Sequence, residues 1–498
     1  MGAIRKRTFV AATLLFTYVL IFYILHSSMM FSKEDDKDIV LELHHSNNDE
    51  DSQTPVVRPQ PQGTEEQPQL QSAPPSNEQQ QQEHISADGD QTKQQQCDPN
   101  AVNHNVDPNH TQAHLAFWRS LDSDTIDAYR ENWKDFMLNE LPANPEYEHK
   151  RGIVLVAGNS DTFERALTAV KMLRRYDCPL PVEVWHLHDE SPSNATVQAL
   201  NELGAVPHDL SGQALPRPVQ HRRNAEKQFQ IKAAAVINAH FEQVLYLDSD
   251  NIPTRDPSFL FETSAFKATG AMFWPDFWKT HIENKIFDIL NVPCNDEWEQ
   301  ESGQMVLDKA RSWLPLQLAW YMQEHSDLYF QFLNGDKDTF KFAWKALRVP
   351  YYMTETFLGM GGLELEQFCG HTMLQYSDED ETHPLFVHAN LMKITDKAGF
   401  MEGSFEEGFH ERPWRQIKRY VESRRKTNLS PAFHIAPGGK ACMNFVSRFG
   451  EPDMVVEEFD DVLDGFQNAY FELGGIGGER MDKTKIEAAT TSRTAFIL

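Results

Sequence analysis

The stretch Phe241-Glu-Gln-Val-Leu-Tyr-Leu-Asp-Ser-Asp-Asn-Ile-Pro253 joins an apolar run directly to two acidic residues. The four residues before Asp248 are aliphatic or aromatic, which predicts a strand buried on both faces, and the Asn-Ile-Pro after Asp250 ends that strand. We therefore expect Asp248 and Asp250 at the carboxyl end of a central strand. In open α/β sheets, ligands bind at this edge.

Two carboxylates one residue apart repel each other, and a hard divalent cation with oxygen ligands removes that repulsion. Asp248 and Asp250 therefore indicate a metal site that also holds a phosphate. Two alternatives stay open. The acids could cap backbone amides in a solvent-facing turn, or they could be the nucleophile and helper of a haloacid-dehalogenase-type phosphatase, although such enzymes have Thr or Val where this chain has Ile252.

The composition excludes some functions. The chain has 498 residues and a formal net charge of −28, and such a surface repels the phosphate backbone of nucleic acids. Its five cysteines include no Cys-x-x-Cys pair, so a zinc ribbon has no support. If the chain is luminal, the four cysteines after Cys97 allow three disulfide pairings, and Cys97 could link two chains or stay unpaired.

An uncharged stretch, Thr8 to Leu25, follows three basic residues and is long enough to cross a bilayer as a helix. The basic residues place the amino terminus in the cytosol, so we predict a cytoplasmic tail over 1–7 and a signal anchor over 8–26. A cleaved signal peptide is the alternative. Residues 46–96 are rich in Gln, Pro, Ser, Asp and Glu, which predicts a disordered stem, assigned to 27–110.

Strand and helix patterns alternate after a neck helix predicted over 111–148. Strands are expected at 151–158, at 181–188 and immediately before the two acids, with helices between them. Short links between such elements imply a mostly parallel, Rossmann-like sheet with helices on both faces. We therefore expect an α/β fold with a single catalytic domain over 149–470 and a C-terminal tail over 471–498.

The order of motifs across roughly residues 150 to 395 resembles the GT-A glycosyltransferases, and specifically the fungal Golgi α-mannosyltransferases that build mannan side branches. The segments that carry the resemblance are Lys227-Gln-Phe-Gln-Ile-Lys232, Tyr246-Leu-Asp-Ser-Asp-Asn-Ile-Pro253, Phe273-Trp-Pro-Asp-Phe-Trp-Lys279, Glu301-Ser-Gly-Gln-Met-Val-Leu-Asp308, Gly335-Asp-Lys-Asp-Thr-Phe340 and Pro384-Leu-Phe-Val-His-Ala-Asn390. Each segment is weak alone, but their order behind an anchor and a stem is specific.

This resemblance implies a type II Golgi membrane enzyme with a luminal catalytic domain. It implies transfer of mannose from GDP-mannose with Mn²⁺, retention of the anomeric configuration and an α-1,2 linkage. The implied acceptor is mannan or a mannosylated glycoprotein, and self-association or association with other Golgi glycosyltransferases is a further expectation. Another sugar nucleotide as donor, or a non-catalytic sugar-binding protein, stays open as an alternative.

The predicted metal ligands are Asp248, Asp250 and His388. His388 ends a short apolar strand, and a neutral imidazole can complete a Mn²⁺ shell. His371 is the competing assignment. The residues predicted to bind the donor are Lys227, Lys232, Asp248, Asp276 and Lys393, of which Lys393 is assigned from the resemblance to retaining families.

The predicted catalytic residues are Asp336, Asp338 and Glu301. Asp336-Lys-Asp338 resembles the Asp-Gln-Asp segment beside the donor sugar in retaining GT-A enzymes, although these acids could also simply start a helix. Glu301 opens an apolar strand and could lie at the site edge. Under retention, the acceptor hydroxyl would attack from the face that GDP leaves, and a covalent route through Asp336 or Glu301 stays open.

Asp276 lies within the aromatic segment Trp274 to Trp278. Carboxylates and aromatic faces together suit a hydroxyl-rich sugar ring, which accounts for the donor role given to Asp276. The alternative is that the aromatic side chains belong to the core and that Asp276 caps a turn.

Overall fold

Two β-sheets carry the part of the chain that the computed structural model describes, which is residues 105–158, 160–219, 230–364, 367–390, 413–425, 429–436, 440–446 and 454–475. The strands are β1 (His149–Val156), β2 (Val182–His186), β3 (Ala205–Asp209), β4 (Phe241–Leu247), β5 (Asn251–Pro253), β6 (Ala271–Lys279), β7 (Trp298–Asp308), β8 (Tyr352–Met353), β9 (Gly359–Glu364), β10 (Phe368–Gln375), β11 (Phe386–His388), β12 (Gln416–Tyr420), β13 (Pro431–Ala436), β14 (Lys440–Phe445) and β15 (Met454–Glu458). The α-helices are α1 (Pro108–Ser120), α2 (Ser123–Asn139), α3 (Ser160–Arg175), α4 (Asn194–Glu202), α5 (Gln230–Asn238), α6 (Ser264–Thr269), α7 (Ile286–Ile289), α8 (Lys309–Glu324), α9 (Ser326–Tyr329), α10 (Lys337–Ala346), α11 (Phe459–Val462) and α12 (Phe466–Glu472).

The first sheet has the strand order β3-β2-β1-β4-β7-β6-β8. Four of its six pairings are parallel, and β7 runs antiparallel to both of its neighbours, β4 and β6. The predicted mixed α/β fold with a mostly parallel sheet is therefore confirmed. The sequence pattern predicts no strand at β3, because that edge segment contains a proline and buries only one of its residues.

Both faces of the first sheet are covered by helices. Val244 and Tyr246 of β4 contribute to a core shared with α5 and α8, whereas Leu245 and Leu247 contribute to a core shared with α3. All four side chains are at most 1% exposed, and full burial of one such side chain contributes about 1.5–3 kcal/mol. The apolar run that precedes the acids is thus a central strand, as predicted.

The second sheet is antiparallel and has the order β13-β14-β10-β9-β12-β15. A disulfide between Cys369 and Cys442 links β10 to β14, and Cys178 is a buried free thiol. The short strand β11 pairs with both β10 and β5. Since β5 begins directly after Asp250, this pairing joins the second sheet to the carboxyl end of β4.

The region predicted as one neck helix forms α1 and α2. Asp122 separates them, because its side chain accepts a hydrogen bond from the Thr125 backbone N–H at 2.9 Å and so caps α2. Trp118 and Trp133 are buried, and their indole N–H groups donate to the carbonyls of Gln331 and Ile289. Both helices therefore pack on the α/β domain.

The first described residues already belong to the fold. The side chain of Asn105 is buried and donates to the Leu429 carbonyl at 2.7 Å, and α1 begins at Pro108. The predicted stem, 27–110, thus overlaps the start of α1. Within the described ranges, no helix combines the length and the apolar character needed to span a membrane, and the predicted anchor over 8–26 lies outside those ranges.

Candidate active site

Asp248 and Asp250 lie at the carboxyl end of β4, as the sequence predicts. The phenol of Tyr246 donates to Asp248 Oδ1 at 2.7 Å, and the backbone N–H of Asp248 donates to the Gly303 carbonyl at 2.9 Å. The Asp248 side chain is 26% exposed, whereas that of Asp250 is 7% exposed. Asp248 is therefore held firmly while still facing solvent.

His388 reaches the two acids because β11 pairs with β5, which places His388 opposite Asn251. Its Nε2 atom lies 3.4 Å from Asp250 Oδ1 and 3.8 Å from Asp248 Oδ2. Its Nδ1 atom lies 3.5 Å from Glu301 Oε1 and has no hydrogen-bond partner among the described residues, although the ring is buried. A buried imidazole whose two nitrogens lie beside three carboxylates is suited to a metal ion.

The same three carboxylates set the charge at His388. Burial lowers the pKa of the imidazole, but Glu301, Asp250 and Asp248 outweigh burial, so the net pKa is raised. The site thus favours positive charge at this point, whether a proton on His388 or a metal ion carries it. Gly303 makes room for the ring, since a Cβ at this position would lie 2.3 Å from His388 Cε1.

One ligand atom each from Asp248, Glu301 and His388 lie within 4.8 Å of one another. The sequence groups Asp250 with Asp248 and His388, whereas this cluster contains Glu301, with Asp250 3.4 Å from His388 Nε2. Burial raises the pKa of Glu301, and the neighbouring His388 opposes that rise. Two carboxylates and an imidazole are donors that Mn²⁺ accepts, so the residues present fit a divalent ion.

Lys232 of α5 supplies a buried positive charge next to this cluster. Its ammonium group lies 3.0 Å from Asp336 Oδ2 and 3.2 Å from Asp248, and it donates to Ser302 Oγ at 2.9 Å. Burial lowers the pKa of Lys232, but Asp248, Asp336 and Glu301 raise it by more, so the ammonium stays protonated. Lys232 and Asp336, both predicted site residues, therefore meet at Asp248.

Asp276 and Asp338 lie in a buried ionic network centred on Lys337. The Lys337 ammonium is 2.9 Å from Asp276, 2.7 Å from Asp338 and 2.5 Å from Glu299, and Lys341 is 3.1 Å from Asp338. Asp338 is 1% exposed and also accepts from the Gln300 backbone N–H. In this structure Asp338 is buried and paired with Lys337 and Lys341, and its predicted contact with the donor sugar stays a prediction.

The network contains three carboxyl groups and two lysines. Burial raises the pKa of Glu299 to about 7, with Asp338 and Asp276 adding to the rise and Lys337 opposing it. A neutral Glu299 balances the charges of the other four groups. The aromatic neighbours Trp274 and Phe277 are buried in the core, as the alternative interpretation of that segment states.

We expect Glu299→Gln to change the pH dependence of stability. A carboxyl group with a raised pKa in the folded state contributes stability that is present below its unfolded pKa, near 4.5, and lost as the pH rises through about 7. The free energy of unfolding of the wild type should therefore fall relative to Glu299→Gln over this window, by up to about 3 kcal/mol. Urea denaturation of both proteins at several pH values measures this difference in the free energy of unfolding.

Glu262→Gln is the matched control, because ion pairs with Lys267 and Arg151 lower the pKa of Glu262 to about 2, below the window. This variant should keep the wild-type slope. Identical slopes for the wild type and Glu299→Gln would show that Glu299 is ionised in the folded protein.

The remaining predicted residues separate into two groups. Lys227 and Lys393 lie outside the described residues. His371 is buried with both ring nitrogens engaged, at 2.8 Å from the Pro413 carbonyl and 2.9 Å from Thr372 Oγ1, and burial lowers its pKa to about 4. These contacts favour His388 over His371 as the metal ligand.

Three residues of the site are missing from the sequence-based set. Tyr246 precedes Asp248 by two positions and so shares its side of β4, a period-two signal that the sequence contains. Ser302 and Glu299 belong to β7, where the pattern shows only an apolar strand after Glu301. Their roles depend on contacts with Lys232 and Lys337, which no local pattern indicates.

The fold and the acidic cluster define the class, which is a mixed α/β protein with a candidate metal site at the carboxyl end of a central strand. A family model described as "Mannosyltransferase putative" matches residues 150–300 and 296–377. α-1,2-Mannosyltransferase MNN21 of Candida albicans is 27% identical over 345 residues, which cover 58% of this chain and 52% of the relative. α-1,2-Mannosyltransferase MNN5 of Saccharomyces cerevisiae is 25% identical over 295 residues, which cover 47% and 50%.

The predicted resemblance is confirmed by the match of this family model to residues 150–300 and 296–377 and by relatives that are named α-1,2-mannosyltransferases. The chain spans about half the length of these curated relatives. Among solved structures, the mannosyltransferase Ktr4p from S. cerevisiae in complex with GDP covers 49% of this chain and 82% of its own, with 8% identity and a TM-score of 0.27. The bifunctional glycosyltransferase WbbM covers 42% and 40%, with 11% identity and a TM-score of 0.32.

Proposed function

We propose that the protein transfers mannose from GDP-mannose to mannan or to a mannosylated glycoprotein and forms an α-1,2 linkage. The observation that carries this proposal is the cluster of Asp248, Glu301 and His388 at the carboxyl end of β4, in a chain whose relatives are α-1,2-mannosyltransferases. Acidic ligands around a divalent ion suit a nucleotide diphosphate. The donor sugar itself is inferred from the names of the relatives.

Asp248, His388 and Glu301 would hold Mn²⁺, with Asp250 beside His388. When bound, the ion would supply positive charge to neutralise the departing diphosphate, the part of the reaction in which most charge develops. The Lys232 ammonium group, 3.2 Å from Asp248 and 3.0 Å from Asp336, would hold these two carboxylates in position. Asp336, whose side chain is 18% exposed, would accept hydrogen bonds from sugar hydroxyls.

We further propose that the anomeric configuration is retained, with the leaving phosphate accepting the proton of the attacking hydroxyl. Asp336 and Glu301 are the carboxylates beside this site that could instead form a covalent intermediate.

We also propose that the protein is a single-pass type II protein of the Golgi membrane with a luminal catalytic domain. The uncharged stretch Thr8 to Leu25 behind three basic residues supports this orientation. Association with other Golgi glycosyltransferases remains an expectation.

The direct test is to incubate the purified protein with Mn²⁺, GDP-mannose and an α-mannoside acceptor. We expect an elongated product whose new linkage is α-1,2 by nuclear magnetic resonance. Other sugar nucleotides should turn over much more slowly. If no sugar nucleotide reacts and small phosphate esters are hydrolysed instead, the phosphatase alternative would replace this proposal.

Two variants distinguish Glu301 from Asp250 as the third ligand of the metal ion, beside Asp248 and His388. Because Glu301 belongs to the cluster with Asp248 and His388, we expect Glu301→Gln to raise the Mn²⁺ concentration for half-maximal activity more than Asp250→Asn does. Removal of a charged ligand from a metal shell should cost at least about tenfold in metal affinity. Mn²⁺ titrations of turnover measure the shift. A larger effect of Asp250→Asn would restore the ligand set predicted from the sequence.

The residue at which the described fold begins predicts how far the chain can be shortened from its amino terminus. A protein that begins at Asn105 should keep full turnover, because it retains the contacts of Asn105 and the Asp107 cap of α1. A protein that begins at residue 111 loses these contacts and the first turn of α1, so its melting temperature should fall by several degrees. Turnover and thermal melting of the two fragments measure this. Equal stability would place the boundary of the stem at 110.

A further inference from the structure

A second cluster of metal-ligating side chains lies on the same sheet. It consists of Glu183 of β2, His208 of β3 and His240, the residue directly before β4. Asp248 directly follows β4, so roughly 25 Å of extended chain separates His240 from Asp248. The two clusters share no residue.

The ligand atoms of this second cluster are close enough for one ion. Glu183 Oε1 lies 2.9 Å from His240 Nδ1 and 3.9 Å from His208 Nε2, and all three ligand atoms lie within 4.8 Å of one another. In a tetrahedral zinc site with bonds near 2.0–2.1 Å, neighbouring ligand atoms are about 3.4 Å apart. The two observed distances bracket that value, so shifts of about half an ångström would complete the shell.

The surrounding residues hold these ligands in position. The Trp185 indole N–H donates to Glu183 Oε2 at 2.9 Å, and the His240 backbone N–H lies 3.3 Å from Glu183 Oε1. The Trp185 ring stacks on His208 and His240, with centroid distances of 4.8 and 6.1 Å. Supporting hydrogen bonds and packing of this kind are typical of the residues that surround metal ligands.

His208 has the fewest hydrogen bonds of the three side chains in the cluster. Its ring makes no hydrogen bond to the part of the chain that the structure describes, and its Nε2 faces the buried carboxylate of Glu183 at 3.9 Å. The side chains of His208 and His240 are 27% and 32% exposed, so an ion can enter from solvent.

We propose that Glu183, His208 and His240 bind one Zn²⁺ ion at a site separate from the acidic site, with water at the fourth position. Two imidazoles and one carboxylate are a donor set that zinc prefers, whereas the acidic site is richer in oxygen and suits Mn²⁺. The ion would fasten the edge strand β3 to β2 and to the start of β4. This proposal does not depend on the transferase activity.

The test measures zinc bound to the full-length, chelator-treated protein in detergent. The wild type should take up one tightly bound equivalent of Zn²⁺ and melt at a higher temperature in its presence. Asp248→Asn should retain this equivalent. His208→Ala and His240→Ala should bind Zn²⁺ more than about 100-fold more weakly, beyond the loss typical of changes around a ligand shell.

His188→Ala is the matched control, because His188 is an exposed histidine paired with Asp209 at the end of β3 and lies outside the cluster. It should bind Zn²⁺ like the wild type. His208→Gln keeps most of the side-chain volume without an imidazole, and it replaces His208→Ala if that variant does not fold. The proposal is overturned if zinc affinity is unchanged in the folded His208 and His240 variants, or if Asp248→Asn abolishes the tightly bound equivalent.

Discussion

Replacing Asp248 with Asn is expected to lower kcat/KM for mannosyl transfer by at least about 1000-fold, which corresponds to roughly 4 kcal/mol of transition-state stabilisation. The substitution removes a negative ligand from the cluster with Glu301 and His388. It also removes one of the two carboxylates that pair with the Lys232 ammonium in the described part of the chain and leaves Asp336 at 3.0 Å. Initial rates with GDP-mannose, an α-mannoside and saturating Mn²⁺ measure the effect.

Asp127→Asn is the control for this experiment, because Asp127 is an exposed aspartate paired with Arg130 on α2. It should leave the rate within about twofold of the wild type, since surface ion pairs contribute little. Thermal melting establishes that both variants are folded. A folded Asp248→Asn protein with more than a tenth of wild-type activity would remove Asp248 from the catalytic site.

His388→Ala is expected to raise the Mn²⁺ concentration needed for half-maximal activity by about 100-fold or more, beyond the loss typical of changes around a ligand shell. At high Mn²⁺ the variant should recover part of its activity, because water can replace a neutral imidazole more easily than a carboxylate. This expectation follows from the geometry, because His388 Nε2 approaches Asp248 and Asp250 and its Nδ1 approaches Glu301. A Mn²⁺ titration of turnover measures the shift.

His371→Ala provides the comparison, because it also removes a buried imidazole from the second sheet. His371 contacts Pro413 and Thr372, so its loss should lower the melting temperature while leaving the Mn²⁺ midpoint unchanged. If His371→Ala shifts the midpoint and His388→Ala does not, His371 is the metal ligand.

Local sequence patterns predict the parts of this protein that depend on neighbouring residues. A run of four apolar residues followed by acids is sufficient to place Asp248 at the end of a buried central strand, because the strand and its end are both encoded nearby. The alternation of strands and helices likewise predicts the parallel pairing of β1, β2 and β4. Neither inference requires knowledge of distant contacts.

Local sequence patterns do not predict contacts between segments that are far apart in the chain. The antiparallel pairing of β5 with β11 brings His388 to the acids. The sequence supports His388 by its residue type, its place at the end of a short apolar strand and the resemblance, but it does not show this pairing. Asp338 stands at the start of α10, where an acid can face either a cleft or the interior. The positions of Lys337 and Lys341 decide between the cleft and the interior, because both lysines pair with Asp338 in the interior of the protein.

The pairing of β5 with β11 also bears on the order in which the protein folds. Thr254 and Pro384, which are hydrogen-bonded beside this pairing, are 130 positions apart in the chain. Closing so long a loop is entropically costly, so contacts of this kind tend to form late and slow folding. During synthesis, the strands up to β7 can pair before His388 exists. The complete set of ligands at the acidic site therefore arises only after β11 has docked, and metal binding at this site would report that docking.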